Sequence, residues 1–198
     1  MADYAFDVFI SYRRLTDMTD FVVKVLKPRL EAKLRTLGGR GALYLDEEDD
    51  SGAPVAGILQ RLQASALLLG VWAPAYEQSA WTLAEWESMA LRESAVKSAG
   101  WTGPPLVLPI CLATRHLKPG VIKRGDLELQ CRHNFCPWTS AYHWPDKYCH
   151  WQAFDEAIDQ LAHDILDRLD KVPPFRPDFP LADVKAMKPA PIPFPGRS

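Results

Sequence analysis

The sequence has almost no net charge: 23 Lys and Arg against 25 Asp and Glu leave a formal −2 over 198 residues. Binding to a phosphate backbone calls for a marked basic excess, so this balance argues against nucleic acid as the main partner. Long apolar runs are missing too. None approaches the roughly 20 residues of a membrane-spanning helix, and the start, MADYAFDVF, lacks the basic-then-apolar pattern of a signal peptide. Cysteine is scarce, four residues without paired spacing, which together with the missing export signal reads as reduced thiols in the cytoplasm. A chain of this length buries roughly 70% of its unfolded surface and needs neither disulfides nor a metal to fold.

Proline, by contrast, is plentiful and unevenly placed. Eight of the 17 fall in residues 173–198, a stretch with no sustained helical or strand period. Such a segment favours extended, polyproline-like backbone. The expected organisation is therefore one folded domain over residues 1–172 and a proline-rich tail or linker over 173–198, leading toward a sensor domain or partner subunit.

Within the domain, short apolar runs alternate with amphipathic stretches. Residues 5–12 (AFDVFISY), 42–46 (ALYLD), 66–73 (ALLLGVWA) and 105–113 (PLVLPICLA) read as strands, with a weaker fifth near 133–138. Apolar Phe21, Val25, Leu26, Leu30 and Leu34 recur at helical spacing before the stop at Gly38 and Gly39. Further helices are expected around Ile58, Leu59 and Leu62, from the turn at 74–79 to about Lys97, and from Trp151 to Leu169. Alternating strands and helices imply an α/β, flavodoxin-like three-layer sandwich around a mainly parallel five-stranded sheet. Ligands in such folds sit beyond the carboxyl ends of the strands, where the winding reverses. That rule singles out residues 11–14, 46–52 and 73–85.

These segments offer an aromatic ring with two guanidinium groups, an acidic glycine-containing loop, and the string SAWTLAEWE. Trp81 and Glu85 stand four apart, about 40° around a helix axis, so they share a face. An aromatic plane one turn before a carboxylate suits a flat heterocycle held beside a negative charge.

Three blocks carry a family resemblance: DVFISYRR at 7–14, LYLDEEDDSG at 43–52, and Ser79, Trp81 and Glu85 in the pattern S-x-W-x-x-x-E. In that order they resemble the Toll/interleukin-1 receptor (TIR) family over about residues 4–169, and within it the NAD-cleaving members, bacterial defence effectors among them. One departure stands at Thr82, where many relatives carry cysteine. The resemblance implies that Glu85 is the catalytic glutamate, that Trp81 stacks on the nicotinamide side, and that Tyr12, Arg13, Arg14 and Ser79 border the pocket, with an arginine for the pyrophosphate. Asp46 and the loop to Gly52 match the family's BB loop, which gates the pocket and reaches a neighbouring protomer. It further implies NAD+ as a substrate with no cofactor or metal, activation by TIR–TIR self-association, filaments included, and a cytoplasmic role in antiviral, abortive-infection defence. The chemistry is self-consistent. Cleaving the nicotinamide–ribose bond releases a neutral pyridine, so no general acid is required and one carboxylate suffices where ordinary glycoside hydrolysis needs two.

Plainer readings stand beside these. Glu85 is also explained as a solvated helix residue, Trp81 as core, the DEEDD run as a hydrated loop, and Arg13 and Arg14 as its ion-pair partners. A non-catalytic TIR scaffold that signals through homotypic contacts is the alternative function. A response-regulator receiver would need an acidic pair after the first strand and an aspartate after the third, and those places hold Ser11-Tyr12-Arg13 and Ala73-Pro74. GGRG at 38–41 lies after a helix and before a strand, the reverse of a dinucleotide fingerprint, and reads as a turn. Cys131, His133, Cys136, His143, Cys149 and His150 cluster without the spacing of any zinc finger or ribbon, so no metal site is expected.

Overall fold

The computed structural model describes residues 3–14, 16–45, 56–112, 121–124, 127–139 and 148–189. Its centre is a five-stranded, fully parallel sheet: β1 (Phe6–Tyr12), β2 (Leu43–Leu45), β3 (Ser65–Trp72), β4 (Val107–Cys111) and β7 (His133–Asn134), ordered β2-β1-β3-β4-β7. With β7 as fifth strand this is the 2-1-3-4-5 order of flavodoxin-like doubly wound folds, and the winding reverses between β1 and β3. Every residue of β3 is buried, as its unbroken apolar run requires when helices cover both faces. Pro109 sits inside β4 but has no N–H to give. The strand beyond, β7, pairs only with Ile110 and Cys111, so no ladder donor is missed.

The helical rod after β1 is not uniform. It runs as α1 (Thr16–Phe21), a π-helical stretch over Val22–Leu26, and α2 (Lys27–Thr36). Pro28 explains the break from the single helix expected. It cannot donate back into the ladder, and its ring would meet the carbonyl of Lys24, so widening the preceding turn relieves the clash. Phe21, Val25, Leu26, Leu30 and Leu34 are all buried, as their spacing predicts. Packed on this rod is α6 (Tyr148–Leu169), joined to it by the Phe21–Phe154 edge contact and by Arg29–Asp155 and Lys33–Asp159 ion pairs.

Helices α3 (Ala56–Gln63) and α4 (Ala80–Ser98) complete the layers. Between β4 and β7 lie the antiparallel strands β5 (Val121–Arg124) and β6 (Leu127–Gln130), which the apolar pattern does not announce. The fifth strand expected over 133–138 is two residues long and passes into the short helix α5 (Cys136–Thr139).

The segment expected to be a tail departs from the domain only in its backbone style. Residues 173–189 hold neither strand nor α-helix, only a turn at 177–178 and a 3-10 turn at Val184–Ala186, as proline favours, yet they are docked. Tyr4 donates to the Pro173 carbonyl, Gln63 to that of Phe179, and the Ala182 amide to Ser88 Oγ. Phe175 meets Tyr4 edge-on, and Phe179 is buried in the core. The two rings supply apolar area that the proline count conceals, and the missing proline N–H groups leave few donors to satisfy on docking. Residues 190–198 lie outside the described chain.

Candidate functional site

The site forms where β1 and β3 end. Ser11 is the penultimate residue of β1 with its side chain buried, and its neighbour across the β1–β3 ladder is Gly70. A Cβ on Gly70 would come 2.9 Å from Trp86 Cζ3 and 3.7 Å from the Tyr76 hydroxyl, so only glycine lets these rings close over β3. After β3 the chain turns through Pro74 into a 3-10 turn, Tyr76–Gln78, and then into α4. Ser79 is the N-cap of that helix and accepts from the Thr82 amide. Thr82 Oγ1 lies 2.5 Å from the Tyr76 carbonyl and 3.1 Å from that of Ser79, its one proton tying the turn to the helix. Its hydroxyl thus does more than fill space.

This turn aims two side chains at Ser11. The Glu85 carboxylate accepts from Ser11 Oγ at 2.5 Å, and the Tyr76 hydroxyl lies 2.7 Å from the same oxygen. A serine hydroxyl has one proton. With that proton donated to Glu85, the Tyr76 hydroxyl donates to Ser11, and the bonds run Tyr76 to Ser11 to Glu85. The Tyr76 ring is fixed in turn, 5.1 Å from Trp72 and 6.2 Å from Trp86 between centroids. Glu85 is only 7% exposed, which removes its reading as a solvated helix glutamate.

The other expected site residues fall as follows. Trp81 is half-buried one turn before Glu85 and is absent from the hydrophobic core, whose tryptophans on this side are Trp72 and Trp86. Tyr12 and Arg13 are half-buried at the end of β1 and Arg14 is exposed. Asp46 and Gly52 lie outside the described residues, so the acidic loop is not placed against the site. Ser79 serves the helix end. Sequence reasoning passed over Tyr76, which falls in the flagged span after β3 but reads as an ordinary core aromatic. It also named Ser11 without a role.

No group of three metal-ligating side chains occurs among the described residues. His133 is engaged by Asp164 at 3.1 Å, and burial, helped by the charge of Cys136, pushes the Cys131 thiol up to about 12. No described helix is long and apolar enough to cross a membrane.

No family model matches the chain, and no curated protein matches it. Among solved structures it is similar to the TIR domains of the activated Roq1 resistosome, which directly recognises the pathogen effector XopQ, at 16% identity over 80% of this chain and 84% of that one, with a TM-score of 0.37. That likeness is distant, and the fold stands on the sheet order itself.

Proposed function

We propose that this chain is a TIR-type NAD+ glycohydrolase that cleaves the nicotinamide–ribose bond with Glu85 as its one catalytic carboxylate. The observation that carries the reading is a buried glutamate held by a serine hydroxyl at the carboxyl end of a central parallel strand, beside the point where the winding reverses. A helix surface has no use for a carboxylate in that position. A site that must face a developing cation does.

In this mechanism the ribose acquires oxocarbenium character as the neutral pyridine leaves, and the Glu85 carboxylate stabilises it by charge and by hydrogen bonds to the ribose hydroxyls that strengthen in the transition state. Ser11 anchors Oε2 of Glu85, and Tyr76 orients Ser11. Fixing the carboxylate before the reaction avoids the cost of reorganising it during the reaction. Trp81, outside the core, would stack on the nicotinamide, and Arg13 or Arg14 would meet the pyrophosphate. Water as acceptor gives ADP-ribose; an adenine nitrogen gives a cyclic product. On this reading the enzyme acts in cytoplasmic antiviral defence and is switched on when copies assemble through TIR–TIR contacts.

Incubating the full chain with NAD+ at high protein concentration or under crowding, with chromatography of the products, tests this directly. Nicotinamide release should fall at least about 100-fold in Glu85→Gln. Release that persists in the variant would sink the assignment. A wild-type chain that self-associates by light scattering yet releases no nicotinamide would establish the scaffold instead.

A further inference from the structure

Further along the same carboxyl edge of the sheet, two thiols that the sequence separates by 25 positions are brought together: Cys111 Sγ, at the end of β4, lies 3.4 Å from Cys136 Sγ, at the start of α5. Both are held by more than their own packing. The Phe135 amide donates to the Cys111 carbonyl at 2.7 Å, the Cys136 amide to Asn134 Oδ1 at 3.0 Å, and the Thr139 hydroxyl to the Leu112 carbonyl at 3.4 Å. The Cys136 thiol also points back at the Cys111 carbonyl, 3.7 Å away. Two sulfur atoms in van der Waals contact on a braced frame need to approach by only about 1.4 Å to reach a covalent S–S length, which small side-chain rotations supply. Access is unequal. Cys111 is fully buried whereas Cys136 is half-buried, and the third nearby thiol, Cys131, is buried.

We propose that Cys111 and Cys136 are an oxidation site, with Cys136 the attacking thiol and Cys111 the resolving one, converted to an intrachain disulfide by an oxidant of the hydroperoxide class. In the first step the Cys136 sulfur attacks one peroxide oxygen. The O–O bond breaks, the departing hydroxide takes up the thiol proton as water, and the sulfur is oxidised to a sulfenic acid. In the second, the Cys111 sulfur attacks that sulfur, the S–O bond breaks, and the hydroxyl leaves with the Cys111 proton as a second water. Two thiols thus give up two electrons and two protons to one peroxide. Burial pushes the Cys131 thiol up to about 12, so it does not compete with the half-buried Cys136 for the peroxide. The new bond would staple the end of β4 to α5 and close the intervening segment that carries β5 and β6.

The test uses the full chain treated with a few equivalents of hydrogen peroxide, alkylated after unfolding, digested without reductant and read by mass spectrometry. A Cys111–Cys136 linked peptide is expected in the wild type and in Cys131→Ser, and none in Cys136→Ser or Cys111→Ala. The oxidised wild type should melt about 5 °C higher than the reduced form, a rise reversed by dithiothreitol and absent in Cys136→Ser. A Cys131–Cys136 bridge, over-oxidised Cys136 beside reduced Cys111, or thiols all still reduced when glutathione in the same tube is oxidised would each overturn the proposal.

Discussion

Helix α4 carries two buried charges of opposite sign, seven residues apart and so within about 20° of one another around the axis. Glu85 serves the carboxyl end of the sheet and Arg92 the amino end. Arg92 donates to the carbonyls of Leu62 and Gln63, which close α3, and to that of Ser65, which opens β3. Its guanidinium also lies 4.4 Å from the Phe179 ring centroid, so one side chain caps a helix, starts a strand and seats the C-terminal segment. Burial lowers it to about 10, and its Nε finds no partner among the described residues. Glu85 meets a serine hydroxyl that a tyrosine orients. The difference separates a charge whose partners are the backbone of the fold from one held in place by side chains. Backbone carbonyls cannot be rearranged without moving α3 and β3, whereas hydroxyls can be shared with a ligand.

Removing each charge should therefore break different things. Arg92→Ala leaves three backbone carbonyls, two of them at buried contacts, without this donor and Phe179 without the nearer of its two cations, and should lower unfolding free energy by about 3–5 kcal/mol in urea titration. Glu85→Gln retains shape and one acceptor oxygen, and should alter stability by less than about 1 kcal/mol while removing NAD+ turnover. Comparable destabilisation by the two substitutions would erase the distinction between the ends.

How much of this was legible before any coordinates depends on whether the signal is local. The unbroken apolar run of β3, the stop at Gly38 and Gly39, and the spacing of Trp81 and Glu85 are local, and each sits where its pattern places it. Ser11, Tyr76 and Glu85 meet across 65 and 74 positions, and no periodicity reports such a meeting. Pro28 and its wide turn could have been read, since a proline inside a helical pattern must disturb the ladder. So could the β5–β6 pair, from Gly125-Asp126 between two short runs, but VIKR and LELQ alternate too weakly to draw notice. The C-terminal segment misled for another reason. Proline composition reports backbone conformation, and docking is decided by Phe175, Phe179 and the carbonyls that Tyr4 and Gln63 reach.

A subtler substitution sharpens the comparison from the carboxyl end. Tyr76→Phe keeps the ring between Trp72 and Trp86 and deletes only the donor to Ser11. The fold should lose about 1 kcal/mol, while kcat for nicotinamide release should fall about tenfold with KM little changed, because the carboxylate is still present but less firmly aimed. Ser11→Thr, which retains the hydroxyl, should restore more activity than Ser11→Ala. Equal kcat in Tyr76→Phe and wild type would confine Tyr76 to packing.

The remaining effect comes from the amino end, and it appears in stability alone. Asp164 on α6 accepts from Arg168 at 2.9 Å and from His133 of β7 at 3.1 Å, while Arg168 reaches on to the Pro105 carbonyl ahead of β4. Burial pushes the Asp164 carboxyl up, but the Arg168 and His133 hydrogen bonds and charges outweigh it and hold the group below the ordinary 3.8. A carboxyl depressed on folding contributes its stability above the unfolded value and loses it as pH falls through the folded one, so the loss should begin near pH 4 and deepen below it. Asp164→Asn should therefore be less stable than wild type by about 1–2 kcal/mol at pH 7, with the gap closing toward pH 2 in acid titrations followed by circular dichroism. NAD+ turnover at pH 7 should be unchanged, since the pair braces β7 against α6 and touches neither Ser11 nor Glu85. A gap that stayed constant down to pH 2 would mean that Asp164 acts through its shape rather than its charge.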